Sequence, residues 1–371
     1  MHGQQYVLRQ LVSGESKAMA KVRVGVIGAG WWATQHHIPS LKTYAKADLV
    51  GVADVKPAKA KTAADYYDIP RAYDSHQDLL AAGVDGVVIA VQHAYHYEAA
   101  RDALDAGVHV LVEKPMTLTA ADAWDLVERA ERNQAHLMVG YTSQFTRHAQ
   151  AAREIVQSGK IGELQMVSGI FTSWVESYLR GRPQDYAEAF GFPVTGPEAE
   201  SYSDPQMAGG GQGHLQVTHP MGMALWVTGR RAVEVFAYME NYDLAVDIVN
   251  AFSFRLDNGA MGTMASTGAM RPHQRLDQGF VYTGSNGVLR QDMAGGRLEA
   301  QYNDGTADEF VDLSEEERYP AHLPARGLVD VILGVGENRA PGEVGARVVE
   351  FLDAGYRSAA TGRAVRVDSL R

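Results

Sequence analysis

The sequence contains no cysteine, which excludes several kinds of chemistry at once. Without thiols the chain cannot form disulfides, use a thiolate nucleophile, or hold zinc or an iron–sulfur cluster through sulfur. His93 and His96 have the i, i+3 spacing of a metal-ligand pair, but no carboxylate pattern nearby completes a ligand set. We therefore expect any catalysis to use nitrogen and oxygen side chains, with no bound metal.

Two further features are missing, an excess of positive charge and a long apolar run. Acidic residues outnumber basic ones by 45 to 34, giving a formal net charge of −11, so the protein repels a nucleic-acid backbone. The first apolar stretch, Tyr6-Val7-Leu8, stops at Arg9, whereas a signal peptide needs about 7 continuous apolar residues and a spanning helix about 20. We expect a cytoplasmic protein with neither a nucleic acid nor a membrane as partner, in which residues 1–20 form a flexible extension.

The residues that are present form an ordinary globular composition on a chain too long for one core. The 371 residues are 46% hydrophobic and 21% charged, which predicts two domains. Over residues 21–142, short β-branched runs alternate with helical stretches, a pattern typical of a parallel sheet covered on both faces. From about residue 165 apolar and polar residues alternate between turns such as Asp257-Asn258-Gly259, which predicts a mostly antiparallel sheet. After Pro324 the pattern is helical to the end of the chain.

The first predicted strand leads into a dinucleotide fingerprint. Gly28, Gly30 and Ala33 match the pattern G-x-G-x-x-G/A between a strand and a helix. The first glycine permits the tight turn, the second lets the backbone approach a pyrophosphate, and the helix N-terminus supplies free N–H groups. The first domain is thus predicted to be a doubly wound Rossmann domain.

The end of the second strand indicates which dinucleotide is bound. Asp54 lies 26 residues after Gly28, about where an acid accepts hydrogen bonds from the ribose hydroxyls. A carboxylate repels a 2′-phosphate, so NAD is expected and NADP is disfavoured. Lys56 and Lys59 follow closely and offer charges that could neutralise such a phosphate, although solvated surface positions are the simpler interpretation.

A second motif, Glu113-Lys114-Pro115, follows the strand Val110–Val112. Together with the fingerprint it resembles the Gfo/Idh/MocA oxidoreductases, the family of glucose–fructose oxidoreductase and inositol 2-dehydrogenase. The resemblance continues through residues 91–98, where Val91 and Gln92 replace the family's Thr-Pro, and through Gly209-Gly210-Gly211 to the last helix. It implies a Rossmann domain followed by an α/β domain, residues 143–371, with a large open sheet that forms a homodimer or homotetramer.

The resemblance also implies roles for individual residues. Lys114 matches the lysine that takes part in proton transfer beside the nicotinamide, and His219 matches the histidine of the family's second motif. Leu215 and Gly222 stand where that motif has aspartates, so the usual acid is absent. We expect His219 to be the general base or a hydroxyl ligand, with His214 as weaker support and Gln216 as a further polar group. The residues expected at the cofactor are Gly28, Ala29, Gly30, Trp31, Trp32, Asp54, Val91, Gln92, His93, His96, Glu113 and Lys114.

The central segment, Phe171–Met207, is long, aromatic and rich in arginine, as functional loops commonly are. Trp174, Tyr178, Arg180 and Arg182 offer ring faces for a sugar and guanidinium groups for an anionic substituent. With Lys114, Gln216 and His219, these four residues are the expected substrate contacts.

The sequence is compatible with three functions. The first is an NAD-dependent dehydrogenase that oxidises a secondary hydroxyl of a sugar, sugar acid or polyol. The second is a redox-neutral glycoside hydrolase that uses NAD for oxidation, elimination, hydration and re-reduction. The third is a non-catalytic NAD-sensing protein, against which the retention of Lys114 and His219 argues.

Overall fold

The computed structural model describes residues 21–370, so the predicted extension 1–20 lies outside the described residues. The first sheet has six parallel strands in the order β3-β2-β1-β4-β5-β6. They are β1 (Val22–Ile27), β2 (Ala47–Ala53), β3 (Ala72–Tyr73), β4 (Gly86–Ile89), β5 (His109–Val112) and β6 (Leu137–Val139). This is the strand order of a Rossmann fold, whose ligands bind where the order reverses, between β1 and β4.

Five helices of this half accompany the first sheet. They are α1 (Ile38–Lys42), α2 (Pro57–Tyr67), α3 (His76–Ala81), α4 (His96–Asp105) and α5 (Ala120–Arg132). The side chains of Ser75 and Thr119 cap α3 and α5 by accepting hydrogen bonds from backbone amides in their first turns. All four residues of β4 are buried, as expected for a central strand with both faces covered.

The second sheet has nine strands in the order β14-β13-β12-β11-β7-β10-β9-β8-β15. They are β7 (Leu164–Thr172), β8 (Ala232–Glu240), β9 (Val249–Leu256), β10 (Met261–Thr267), β11 (Gln278–Gly284), β12 (Gly287–Asp292), β13 (Arg297–Tyr302), β14 (Ala307–Glu309) and β15 (Val365–Arg366). Only β7 and β10 pair in parallel among these described strands. The predicted α/β fold with a mostly antiparallel second sheet is confirmed.

Within the described residues, the second half of the chain contains nine α-helices. They are α6 (Arg147–Gln157), α7 (Glu176–Leu179), α8 (Ala187–Phe190), α9 (Glu200–Ser203), α10 (Pro205–Ala208), α11 (Thr218–Thr228), α12 (Glu315–Arg318), α13 (Leu323–Ile332) and α14 (Gly342–Thr361). Helix α14 packs on β8 and α5, and α13 packs on β4 and β5. The division of the chain at residue 142 remains a prediction, since α13 returns from the second half to cover the first sheet. None of the helices within residues 21–370 is both long and apolar enough to span a bilayer.

Two expectations about local structure need correction. The chain is not helical to its end, because β15 pairs with β8 and extends the second sheet by one strand. The central segment is not a plain loop either, since it contains α7 to α9 and part of α10. Its own apolar cluster, which includes Val175, Tyr178, Leu179 and Tyr186, supplies the packing that these short helices need.

Candidate active site

A cleft of about 1120 Å³ lies at the carboxyl ends of β1 and β4 and extends to the central segment and the second sheet. Single small-ligand pockets measure about 300–1,000 Å³, so this cleft has room for a dinucleotide and a second ligand. The structure brings most of the predicted site residues to its walls. These are Gly28, Gly30, Trp31, Trp32, Asp54, Val91, Gln92, His93, His96, Glu113, Lys114, Trp174, Tyr178, Gln216 and His219.

The glycine turn fits a dinucleotide. Gly28 has φ = +97°, and a Cβ there would lie 2.4 Å from the Ala90 carbonyl oxygen, so the turn itself requires glycine. Gly30 differs, because a Cβ there would meet only that oxygen, at 3.9 Å, and would otherwise project into open space. Since neither packing nor strain requires glycine at position 30, close approach of a ligand is the remaining physical reason for it.

Asp54 is fixed at the end of β2 by two backbone amides. Its Oδ2 accepts a hydrogen bond from Ala29 N at 2.9 Å and its Oδ1 accepts one from Lys56 N at 2.8 Å. Ala29, which is expected at the cofactor, does not line the cleft. Its backbone amide instead holds the Asp54 carboxylate in place. The carboxylate therefore faces the cleft beside the glycine turn, where the adenosine ribose of a dinucleotide would lie.

Lys114 enters the cleft from the carboxyl end of β5. Its Nζ donates a hydrogen bond to the Leu215 carbonyl oxygen at 3.2 Å. Burial lowers the pKa of Lys114, while the neighbouring Glu113 carboxylate opposes the shift. A lysine whose neutral form is made accessible in this way can exchange a proton with a substrate hydroxyl.

His219 lies one helical turn after Leu215 and lines the same part of the cleft. Burial, together with the nearby charge of Lys114, lowers the pKa of His219 to about 3. The imidazole is consequently neutral at ordinary pH. A neutral ring can accept a hydrogen bond from a substrate hydroxyl or donate one, depending on its tautomer.

Glu113 is a buried carboxylate that organises the wall behind Lys114. Its Oε1 accepts hydrogen bonds from Trp32 Nε1 and His37 Nε2, both at 2.8 Å, and its Oε2 accepts one from Lys114 N at 3.2 Å. Burial alone would raise the pKa of Glu113, but the His37 hydrogen bond and the charges of His37 and Lys114 outweigh it and lower that pKa to about 2. Glu113 thus ties the helical residues 31–37, which follow the glycine turn, to the end of β5, just before Lys114.

His96 and His93 frame the same wall through the backbone. The His96 ring lies between two carbonyl oxygens, with Nδ1 2.7 Å from that of Pro115 and Nε2 3.2 Å from that of Val91. His93 Nδ1 donates to the Ala208 carbonyl oxygen at 3.0 Å. Burial lowers the pKa of both rings, and these carbonyl contacts orient them in the wall that also contains Lys114.

The structure does not bring His214 to the cleft, and its expected catalytic support needs correction. The ring is buried against Tyr356 at a centroid distance of 4.7 Å, and burial lowers its pKa to about 4. The nearby acid, Asp247, is already occupied by the amides of Gly211 and Gly213 at 2.7 and 2.8 Å and by the Tyr356 hydroxyl. Asp247 therefore holds the glycine loop through these amides and is not available to a reacting hydroxyl.

Packing accounts for the two positions that lack the family's aspartates. The Leu215 side chain is buried in the apolar cluster of the central segment, beside Val175 and Tyr178. At Gly222 a Cβ would lie 3.0 Å from the Tyr141 ring. Both positions serve packing contacts, whereas Lys114 and His219 line the cleft.

Arg180 and Arg182, expected to bind substrate, lie outside the cleft wall and pair with acids near the surface. Arg180 donates to Glu176 at 2.8 Å and to Asp243 at 2.8 and 3.0 Å, and Arg182 lies 3.4 Å from Asp185. The arginines that do line the cleft are Arg275, Arg297 and Arg318. No local motif marks these three residues, because their position depends on the order of distant strands in the second sheet.

The central segment covers one side of the cleft and is bonded to the first domain at several points. Gln35 Nε2 donates to the Phe190 carbonyl oxygen at 2.7 Å, and Trp31 Nε1 donates to the Tyr202 hydroxyl at 3.1 Å. Gln92 Nε2 donates to Ser201 Oγ at 3.3 Å. The Trp31 ring also packs against Phe190 and Phe192, so the glycine turn and its cover form one apolar contact.

One polar atom of this cover lacks a partner. Tyr178 is buried and lines the cleft, and no hydrogen-bond partner for its hydroxyl lies within residues 21–370. A buried polar group is normally satisfied. The Tyr178 oxygen is itself buried, so it is the rest of this residue that lines the cleft.

Comparisons with known proteins agree with this geometry. Residues 22–141 match the model of the oxidoreductase family with an NAD-binding Rossmann fold, and residues 149–290 match the GFO/IDH/MocA C-terminal domain. The structure is similar to that of GenD2 from gentamicin A biosynthesis in complex with NAD, with a TM-score of 0.75 and 23% identity over 96% of this chain and 99% of that one.

Two curated relatives each match about two fifths of the chain. A dTDP-3,4-didehydro-2,6-dideoxy-alpha-D-glucose 3-reductase of Saccharopolyspora spinosa is 34% identical over 152 residues, which are 40% of this chain and 45% of that protein. An inositol 2-dehydrogenase of Corynebacterium glutamicum (strain R) is 32% identical over 151 residues, with the same two shares. The chain therefore spans somewhat less than half the length of these relatives.

Proposed function

Because the chain belongs to the Gfo/Idh/MocA oxidoreductases, we propose that it oxidises a secondary hydroxyl of a sugar, sugar acid or polyol with NAD as the hydride acceptor. The observation that carries the proposal is the placement of Lys114 and His219 together in the cleft that begins at the glycine turn. Fold alone would not select this activity, since the same architecture supports other functions.

The chain's own residues supply binding and proton transfer. The amides of the glycine turn and Asp54 would hold the dinucleotide, which supplies the hydride acceptor when bound. Lys114 Nζ, in its neutral form, takes the proton from the substrate hydroxyl, and His219 orients that hydroxyl through a hydrogen bond. Trp174 and Tyr178 line the cleft and offer ring faces to a sugar. Arg275 and Arg318 are positioned for an anionic substituent, in place of Arg180 and Arg182.

The proposal is tested by assaying sugars, uronic acids, sulfo-sugars, inositols and simple glycosides in parallel for NADH formation and for glycoside cleavage. A dehydrogenase forms NADH in proportion to the substrate consumed. Activity confined to alcohols unrelated to sugars would contradict the proposed substrate class, and a panel with neither product would contradict the proposed activity.

A redox-neutral glycoside hydrolase is the second candidate, and the cover over the cleft favours it. A cofactor enclosed beneath the central segment could stay bound while it is reduced and reoxidised within one turnover. In that case the glycoside panel would yield free sugar with no accumulation of NADH, which separates this candidate from the first.

Replacing His219 with alanine is expected to lower kcat/KM by about 100-fold, since positioned acid–base groups contribute about 10²–10⁴-fold. The pKa of about 3 predicts that His219 adds no ascending limb between pH 5 and 8, because the ring is already neutral throughout that range. Steady-state kinetics against pH would check both points. His273→Ala, at an exposed histidine outside the cleft, is the matched control. An equal loss in both variants would remove His219 from the proposed mechanism.

We further propose that the chain forms a dimer or tetramer through the open face of the nine-stranded sheet. Met166 and Met261 are directly paired on β7 and β10, and Ile170 lies on the same face. All three are exposed, by 40%, 56% and 44% respectively. These exposed apolar side chains lie on either side of the hydrogen-bonded pair Ser168 and Thr263, and they support this face as the association surface.

Replacing Met166 and Met261 together by lysine is expected to convert the oligomer to a monomer, because like charges would face each other across a symmetric interface. Light scattering coupled to size-exclusion chromatography measures the mass. Val335→Lys, at an exposed apolar residue away from the sheet, should leave the mass unchanged. A monomeric wild-type chain would contradict the proposed assembly.

A further inference from the structure

Two lysines at the adenosine end of the cleft are paired with one acid from the opposite side. Glu198 Oε1 lies 2.5 Å from Lys56 Nζ and 2.6 Å from Lys59 Nζ. Both lysines follow the end of β2, Lys56 just before α2 and Lys59 within it. Glu198 belongs to the central segment. All three line the cleft with Asp54.

The charges of these four groups cancel. Asp54 and Glu198 contribute two negative charges, and Lys56 and Lys59 contribute two positive ones. Without Glu198 the same place would carry a net positive charge on two free ammonium groups, beside the expected position of the 2′-oxygen of the ribose. Such a pair would attract a 2′-phosphate and compensate for Asp54.

Lys56 and Lys59 carry the charges that could neutralise a 2′-phosphate, but in the structure both are paired with Glu198. Lys59 and Glu198 are only 26% and 31% exposed at their side chains, so their contact is less screened than an ordinary surface pair. Glu198 forms ion pairs with both ammonium groups and so links the central segment to the first domain.

We propose that Glu198 is a specificity-determining residue that directs the cleft towards NAD by occupying Lys56 and Lys59. A 2′-phosphate must displace Glu198 from both lysines and then share the site with two carboxylates. A free 2′-hydroxyl needs no such displacement and leaves the pairing intact. The inference rests on the proposed use of a dinucleotide in this cleft.

The test is the binding of NADH and NADPH to the full chain, measured by nucleotide fluorescence at low and moderate salt. Glu198→Gln keeps the shape of the side chain and removes its charge. It is expected to lower the Kd for NADPH about tenfold, while the Kd for NADH changes less than about threefold, because the freed lysines gain charge-assisted contacts only with the phosphate. The gain for NADPH should shrink as salt rises.

Two further variants make the test specific. Glu188→Gln removes an exposed acid from the same segment, away from the cleft wall, and should shift neither Kd. Adding Lys59→Ala and Lys56→Ala to Glu198→Gln should abolish the gain for NADPH, since the gain depends on the released lysines.

The possible failures can be told apart. Failure of the wild-type chain to bind either nucleotide would contradict the proposed function itself. If the chain binds NADH but Glu198→Gln leaves the ratio of the two constants unchanged, only the role of Glu198 is overturned. An equal shift in Glu188→Gln would likewise overturn it, since the effect would then be general electrostatics.

Discussion

Replacing Lys114 with alanine is expected to lower kcat by about 10²–10⁴-fold while NADH binding changes little. The side chain lies in the cleft with burial lowering its pKa, and its Nζ contacts only the Leu215 carbonyl oxygen among the described hydrogen-bond partners. Its removal takes away the proposed proton acceptor without disturbing the glycine turn or Asp54. Turnover and nucleotide fluorescence, measured on the same preparation, check the two halves of this expectation.

The proposed role of Lys114 also predicts the direction in which kcat/KM changes with pH. Oxidation needs the neutral amine, so kcat/KM should rise with pH through the pKa of Lys114, which burial places below the ordinary value of 10.5. Reduction needs the protonated amine and should fall over the same range. Lys114→Arg keeps the positive charge but cannot release its proton near neutral pH, so it too should be inactive. Full activity in Lys114→Arg would show that charge alone suffices.

Lys61→Ala is the matched control for these variants. Lys61 lies on the exposed surface of α2, where it pairs with Asp65, and its loss should leave kcat within about twofold. Loss of NADH binding in Lys114→Ala would instead assign the lysine a mainly structural role.

Replacing Glu113 with glutamine is expected to lower the free energy of unfolding at pH 7 by about 3 kcal/mol. The figure follows from the lowering of the Glu113 pKa from 4.5 to about 2, since each unit corresponds to about 1.4 kcal/mol. The ionised carboxylate accepts bonds from Trp32 and His37, and a neutral amide would bind them more weakly. Urea unfolding of both proteins measures the difference.

The difference should depend on pH in one direction only. Because the folded pKa lies below the unfolded value, the stabilisation is complete above pH 4.5 and is lost as the pH falls towards 2. The gap between wild type and variant should therefore be smaller at pH 4 than at pH 7. Glu154→Gln, at an exposed position on α6, should change stability by less than about 0.5 kcal/mol. A gap that grows with acid would contradict the assigned cause.

The sequence was sufficient for the fold and for the features that depend on local pattern. Gly28, Gly30 and Asp54 occupy fixed places relative to a strand and a helix, so a motif locates them directly. Lys114 is found in the same way, since it follows a buried strand at the carboxyl edge of a parallel sheet. His219 required the resemblance, because the two motifs meet only through contacts between the two halves of the chain.

The errors arose where long-range packing decides a side chain's direction. Arg180 and Arg182 were expected in the cleft from composition, yet nearby acids hold them near the surface. The motif predicts weaker catalytic support from His214 in place of the missing aspartate, but its ring stacks on Tyr356 and does not line the cleft. Glu198 carries no motif, and it gains its role only when the central segment folds over the cleft.

The position of NAD in a crystal structure of its complex with the chain is the most direct test of the central claim. We predict that the pyrophosphate lies on the turn at Gly28 and Gly30, that the ribose hydroxyls face Asp54, and that the nicotinamide lies beside Lys114 and His219. A nicotinamide distant from Lys114, or a dinucleotide bound elsewhere, would contradict the assignment of this cleft as the site of hydride transfer.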